Sequence, residues 1–329
     1  MSTITIPARP PIRTAPRRRL KGPILLATDG MAQSSGAFAA AVSIAAGGTR
    51  RSERAQRLPV RVVTVCDALP VVVPEIAPVL PHEFLEGRRE DMLAAAREQV
   101  RYNVADSSLW TVDALSGPAA PTIAETAEEF GASLIVMGLG KHDLYDRVFG
   151  SETALRVMQQ SHVPVLAVPQ NWIGIPRHLL VAVDFGPASL RAARVAMRVV
   201  APGGAVCFAH VAPDVGLPDT EESADLATIY RANLDEELDR FIDATGVPDD
   251  VTVTRTALYG DPARALLAYA RGEGVDMIVA GTHGLNALAR LFVGSVASKL
   301  GRGTQCALLV AGAHREHHAD QATAETTTE

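Results

Sequence analysis

Gly281, Gly284, Gly294 and Ser295 lie in one stretch, DMIVAGTHGLNALARLFVGSVAS from Asp276 to Ser298, and together they could hold a phosphate. Met277 to Ala280 form an apolar run of the kind that parallel strands bury on both faces. Gly281 ends it. Gly281 and Gly284 carry no Cβ where the chain must turn tightly or let a ligand approach its backbone. Gly294-Ser295 then reads as a helix start, with Ser295 in a capping position and unpaired amides facing outward. Such an end attracts anions through its free N–H groups and the helix dipole. The competing reading is an ordinary β-to-α turn whose glycines serve packing. His283, inside the loop, is a phosphate donor or a turn residue; no neighbouring carboxylate or nucleophile marks it for proton transfer.

Two acids close short apolar runs elsewhere in the chain: Asp29 after Ile24 to Thr28, and Asp184 after Leu179 to Val183. Each could reach Mg2+ through water, hydrogen-bond a nucleoside, or simply cap the helix that follows. The glycine loop also has an earlier twin. Met137-Gly138-Leu139-Gly140-Lys141-His142 precedes Gly150-Ser151, with one residue fewer between its first two glycines. Lys141 and His142 could offset that shortening by placing cationic donors beside a triphosphate; Lys141 reads equally well as a solvated surface lysine.

These paired features require two copies of one unit. After each acid comes a segment with helical spacing, Phe38, Val42 and Ala45 in one copy and Leu190, Ala193, Met197 and Val200 in the other. Second strands over Val60 to Cys66 and Ala205 to Val211 follow, then long helices with buried faces at Leu85, Met92, Ala96 and Val100, and at Tyr230, Leu234, Leu238 and Phe241. Third strands (Leu109 to Leu115, Val251 to Leu258), third helices, fourth strands (Ser133 to Met137, Asp276 to Ala280), the glycine loops, fourth helices and fifth strands (Val165 to Val168, Ala307 to Val310) complete each copy. Strict alternation of strand and helix predicts an open parallel α/β sheet. In the doubly wound order 3-2-1-4-5, strands 1 and 4 meet where the order reverses, and ligands bind beyond their carboxyl ends. Acid and glycine loop therefore converge.

From about residue 20 to residue 312 the chain resembles a tandem universal stress protein, on the strength of Gly281-x2-Gly284-x9-Gly294-Ser295 after a buried strand and of the duplicated strand-1 acid. The resemblance implies two Rossmann-like, adenine nucleotide alpha hydrolase-like domains, each with a five-stranded parallel sheet. It implies ATP as the ligand, with the acid near the adenosine and the loop and Gly-Ser around the phosphates. Carried over residue by residue, the second pocket comprises Ala182, Asp184, Val206, Ala280, Gly281, His283, Gly284, Gly294, Ser295 and Val296. The first comprises Ala27, Asp29, Met137, Gly138, Gly140, Gly150 and Ser151, with its shortened loop as the departure from the pattern. The resemblance further implies pairing through the fifth strands, an intramolecular pseudo-dimer, with a homodimer of chains left open.

The expected organisation is a disordered basic arm over residues 1–20, domains at 21–169 and 178–312 joined by a linker at 170–177, and a disordered tail at 313–329. At 329 residues, 47% hydrophobic and 21% charged, the chain has ordinary globular composition, and its net charge of −6 argues against nucleic acid as the main partner. No run reaches the roughly 18 to 20 apolar residues of a membrane span. Arg17-Arg18-Arg19 precedes an apolar run that Asp29 cuts too short for an export signal, so a cytoplasmic protein is expected. Cys66, Cys207 and Cys306 read as buried, reduced thiols. The function expected is a nucleotide-dependent sensor or regulator; a slow ATPase and a nucleotide-independent partner-binding module are the alternatives, and no catalytic residue is assigned.

Overall fold

The computed structural model describes residues 13–47, 57–67, 82–140, 150–212, 221–282 and 295–312. In the first half, β1 (Ile24–Ala27), α1 (Ser35–Ala45), β2 (Val60–Cys66), α2 (His82–Asn103), β3 (Trp110–Ser116), α3 (Ala119–Glu129), β4 (Leu134–Gly138), α4 (Gly150–Gln160) and β5 (Val165–Val168) alternate. The second half repeats the series as β6 (His178–Ala182), α5 (Pro187–Val199), β7 (Ala205–Ala212), α6 (Glu221–Thr245), β8 (Thr252–Tyr259), α7 (Pro262–Gly272), β9 (Met277–Gly281), α8 (Ser295–Gly303) and β10 (Ala307–Ala311). The strands form a single sheet in the order β3-β2-β1-β4-β5-β10-β9-β6-β7-β8. Each half thus has the expected doubly wound order 3-2-1-4-5.

Burial explains why these sequences become these strands. β1, β5 and β10 are buried along their whole length, and their sequences ILLA, VLAV and ALLVA are apolar without alternation, as strands covered on both faces must be. The outermost strands β3 and β8 are only half-buried, and polar residues such as Thr111, Asp113, Thr252 and Arg255 are tolerated there. One apolar layer, containing Phe38, Ile44, Leu179, Ala196, Leu238 and Phe241, fills the face covered by α1, α2, α5 and α6. Another, with Ile123, Leu155, Ile278 and Leu300, fills the face covered by α3, α4, α7 and α8.

Within each half every strand pair is parallel. The halves meet where β5 and β10 pair antiparallel, Leu166 opposite Leu309. Each fifth strand covers what would otherwise be an apolar sheet edge, which is the physical reason for joining there. Helices α4 and α8 also meet across the join, so closely that a Cβ on Gly301 would stand 2.5 Å from Leu155 Cδ2. The linker is anchored as well: Trp172 is buried, and the Asp276 carboxylate accepts the backbone N–H groups of Arg177 and His178 at 2.8 and 3.1 Å.

Two expectations need correction. Residues 13–20 do not belong to a disordered arm: Ala15 makes a parallel bridge with Pro248, Arg17 pairs with Asp250 at 2.8 Å, and Leu20 is buried in the main core. Backbone bonds, an ion pair and an apolar anchor together offset the entropy of ordering the segment. Tyr230 does not lie on the buried face of its helix. It is 46% exposed, with exposed neighbours Ile229 and Arg231, and among the described residues of α6 the first buried one is Leu234. Among the described residues the three cysteines are free thiols, Cys66 and Cys207 buried and Cys306 half-buried.

Candidate functional site

At the carboxyl end of β6 the chain leaves the sheet through Val183, whose N–H still bonds Ala209 O, and enters a turn organised by Asp184. Asp184 Oδ1 accepts the Gly186 N–H at 2.8 Å and a short bond from the Ser189 hydroxyl. Gly186 is the N-cap of α5 and Pro187 its first residue, a position where the missing N–H costs nothing. The turn forces Phe185 to φ +60, the only left-handed non-glycine among the described residues. Its ring rests 5.0 Å from that of His210 and edge-on to Phe241, and these contacts hold a backbone conformation that costs about 1–2 kcal/mol. His210 Nδ1 in turn contacts Val183 O at 2.8 Å.

The first turn of α5 then settles onto the end of β9. A Cβ on Gly281 would stand 2.6 Å from Ser189 N and 2.9 Å from the Ala188 carbonyl carbon. Gly281 is thus a glycine because the helix that follows the Asp184 turn lies against it. The acid, the start of the helix and the end of the fourth strand of this half form one packed unit, with Ala182 and Ala280 beneath it on adjacent strands. Ser295 and Val296 begin α8, with Ser295 exposed and Val296 half-buried against the core layer that also contains Ala280. His283, Gly284 and Gly294 lie outside the described residues. Val206 does not belong to the site: it pairs with Leu179 near the start of β7, and about five residues of strand, roughly 16 Å, separate that level from Asp184. The register slips because the apolar run of β7 is uniform; Val211, near the carboxyl end, occupies the level that Val206 was expected to fill.

The first half repeats the acid turn with different support. Asp29 follows Ala27 and Thr28, and its Oδ1 accepts the Met31 N–H at 2.9 Å and the Ser34 hydroxyl at 2.7 Å. A turn of 3-10 helix, Ala32–Ser34, separates it from α1. The left-handed position after the acid is taken by Gly30, at φ +79, under Ala95 of α2. Gln99 fastens α2 to this turn by accepting from the Thr28 hydroxyl at 2.9 Å and donating to Met31 O at 2.7 Å. Met137 is buried, and Gly138 ends β4 with only Gln33 O, 3.9 Å away, near its absent Cβ. Gly140 is the last described residue before the loop; Lys141 and His142 lie outside the described residues. Gly150 and Ser151 open α4.

Both acids therefore brace the turn that leads into the following helix, and each does so through Oδ1, which accepts the N–H two residues on and a serine hydroxyl five residues on. Among the described residues each carboxylate is engaged through Oδ1, and no hydrogen bond reaches Oδ2. The serine partners escaped the sequence reading, although a signal existed: Ser34 and Ser189 stand at the same distance after their acids in the two copies. Phe185, His210 and Gln99 carried no comparable signal, because their roles come from tertiary packing. Among the described residues there is no group of three or more His, Cys, Asp or Glu side chains able to hold a metal, and no helix is long and apolar enough to cross a membrane.

A doubly wound domain with an acid turn and a glycine-terminated strand at its reversal point, present twice in one chain, defines a tandem Rossmann-like class of fold. The universal stress protein family model matches residues 22–169 and again 176–312, and the chain belongs to that family. It is similar to a universal stress protein of Methanocaldococcus jannaschii, 27% identical over 148 residues that make up 44% of this chain and 86% of the relative. Among solved structures, a universal stress protein from Archaeoglobus fulgidus matches 88% of this chain and 96% of its own, with a TM-score of 0.58 at 20% identity. A functionally unknown protein from Pseudomonas aeruginosa matches 88% of this chain and 92% of its own, with a TM-score of 0.52 at 12% identity. At those identities the likeness is one of fold.

Proposed function

We propose that this chain is an ATP-binding regulator of the stress response, acting in the cytoplasm, and that its second domain is the principal nucleotide site. The observation that carries the proposal is the packing of the Asp184 turn, through the first turn of α5, onto Gly281. That contact unites the acid and the glycine-terminated strand where a doubly wound sheet takes its ligand. In this reading the free Oδ2 of Asp184 faces the nucleoside or a water of a bound Mg2+. Ser295 and the amides at the start of α8 take the phosphates, with Gly284 and Gly294 leaving the backbone open to them, while Gly281 lets α5 close onto the end of β9. ATP acts by binding one arrangement of the chain better than another, because a ligand with equal affinity for both shifts nothing. The first domain, with its shorter loop, binds nucleotide more weakly or serves a protein partner.

Calorimetric titration of ATP into the wild type, Asp184→Asn and Asp29→Asn tests this. The amide keeps a capping oxygen while removing the charge, so the fold is preserved. Wild type binds ATP, Asp184→Asn lowers affinity about tenfold, a loss of roughly 1.4 kcal/mol, and Asp29→Asn changes it less. A wild type that takes up no adenine nucleotide sinks the proposal. Phosphate release measured on the same samples separates a regulator from a slow ATPase, since turnover that falls with Asp184→Asn belongs to the protein.

A further inference from the structure

The ordered N-terminal segment does more than precede the first strand. It starts on the second domain, where Ala15 N–H bonds Val247 O at 2.8 Å, Asp249 N–H bonds Ala15 O at 3.1 Å, and Arg13 N–H bonds Asp243 Oδ1 at 2.9 Å. Arg17 then reaches the end of α5. Its guanidinium donates to Val200 O at 2.6 Å, to Ala201 O at 3.3 Å and to Asp250 Oδ1 at 2.8 Å. The carbonyls at a helix C-terminus carry partial negative charge and no intrahelical partner, and a planar, multiply donating guanidinium suits them and a carboxylate together. Two residues on, Arg19 lies over the C-terminal end of α1 in the first domain, its Nη1 2.5 Å from where a Cβ on Gly47 would stand. Leu20, four residues before the first residue of β1, is buried in the core. A cavity under this crossing is lined by Arg17, Arg19, Ile44, Leu58, Ile175 and Val199, residues of both domains and of the linker.

We infer that residues 13–20 are a releasable latch, which fastens the C-terminal end of α5 in the second domain to the start of β1 in the first and closes the seam cavity between them. The attachments set its strength. The ion pair is partly exposed, at 20% for Arg17 and 45% for Asp250, and pairs of this kind are weak and screened by salt. Only one short bridge adds backbone bonds. The latch therefore opens well below the free energy of unfolding either domain, as weakly attached segments do. Leu20 stays as the hinge-side anchor when Arg13 to Arg19 lift away.

Limited trypsin digestion of the full chain, with fragments identified by mass, reads the opening directly, because cleavage after Arg18 and Arg19 requires a lifted segment. When opening is fast relative to cleavage, the rate follows the open population. Asp250→Ala leaves every trypsin site in place and raises that cleavage rate about fivefold. Ala15→Pro, which removes the bond to Val247 O at the other attachment, raises it similarly, and 0.5 M salt raises it for wild type. In both variants the circular dichroism and the main thermal transition stay those of a folded protein. Amide exchange at Asp249 quickens in step with cleavage, while Val279 in β9 does not change. The inference is overturned if wild type is already cut after Arg18 as fast as an unstructured peptide of the same sequence, or if neither variant changes the rate.

Discussion

The two domains share a topology and an acid turn, yet they bring their first helix onto the sheet at different places. In the second domain the near-contact is at Gly281, where the start of α5 rests on the end of β9. In the first, the corresponding glycine, Gly138, has nothing closer than 3.9 Å among the described residues. The close approach has moved to Gly36, whose absent Cβ would stand 2.0 Å from Pro169 O at the end of β5. The second domain holds Arg191 on α5 against the residue that follows its fifth strand, with Nη1 donating to Gly312 O at 3.0 Å. The lesson is that a repeated glycine does not imply a repeated constraint. Gly281 is held in place by steric contact within the site, whereas no such contact constrains Gly138 among the described residues.

The comparison breaks most visibly under Cβ addition. Gly36→Ala should give the largest loss, because a backbone carbonyl cannot swing aside; overpacking of this kind costs about 1–3 kcal/mol and here lies at or above the upper end. Gly281→Ala should fall within that range and should also weaken ATP binding, since the start of α5 and Asp184 must shift together. Gly138→Ala should stay within about 0.5 kcal/mol of wild type. Denaturant melts of the three variants give the order, and equal losses at Gly281 and Gly138 would show that the asymmetry is not real.

A second asymmetry concerns the residue after each acid. Gly30→Ala places a side chain at φ +79 with its Cβ 3.0 Å from that of Ala95, and should cost about 1–2 kcal/mol. Phe185→Gly relieves comparable strain but removes the ring that His210 and Phe241 hold. The net loss of stability should be smaller than the burial of the ring suggests, with a larger effect on ATP affinity, because the Asp184 turn loses its support. Thermal melts and titration of the same variant separate the two effects.

The smallest effects concern pH and have opposite signs at the two acids on either side of α7. Burial holds Asp276 above the usual carboxylate range despite its bonds to Arg177 and His178. The folded chain therefore keeps that proton more tightly than the unfolded one; the contribution is full below the unfolded pKa and is lost as pH rises through the folded one. Asp261, the N-cap of α7, is held low by the Arg264 N–H, then by Lys299. Its contribution is present above the unfolded pKa and lost as pH falls through the folded one. Melting temperatures from pH 3 to 7 should show the decline with rising pH removed by Asp276→Asn and part of the acid-side loss removed by Asp261→Asn.

Much of this was legible in the sequence because the inner strands are uninterrupted apolar runs and because the pattern occurs twice. The same feature limited the reading. An apolar run has no internal mark of register, which is how Val206 came to be placed at the wrong end of β7. Tyr230 continued a helical stripe in sequence, but only the fold decides how far a long helix stays in contact with its sheet. Arg17 looked like one charge in a solvated run; its partners are the carbonyls of Val200 and Ala201, about 180 residues away, and no local pattern announces them.

The antiparallel meeting of β5 with β10 has a geometric consequence for any ligand traffic. Because each half is parallel within itself and reversed relative to the other, the carboxyl ends of the two halves open at opposite edges of the ten-stranded sheet. No single small molecule can bridge the two acid turns, and a partner docked over one leaves the other uncovered. The two acid turns are in this sense approached from opposite directions.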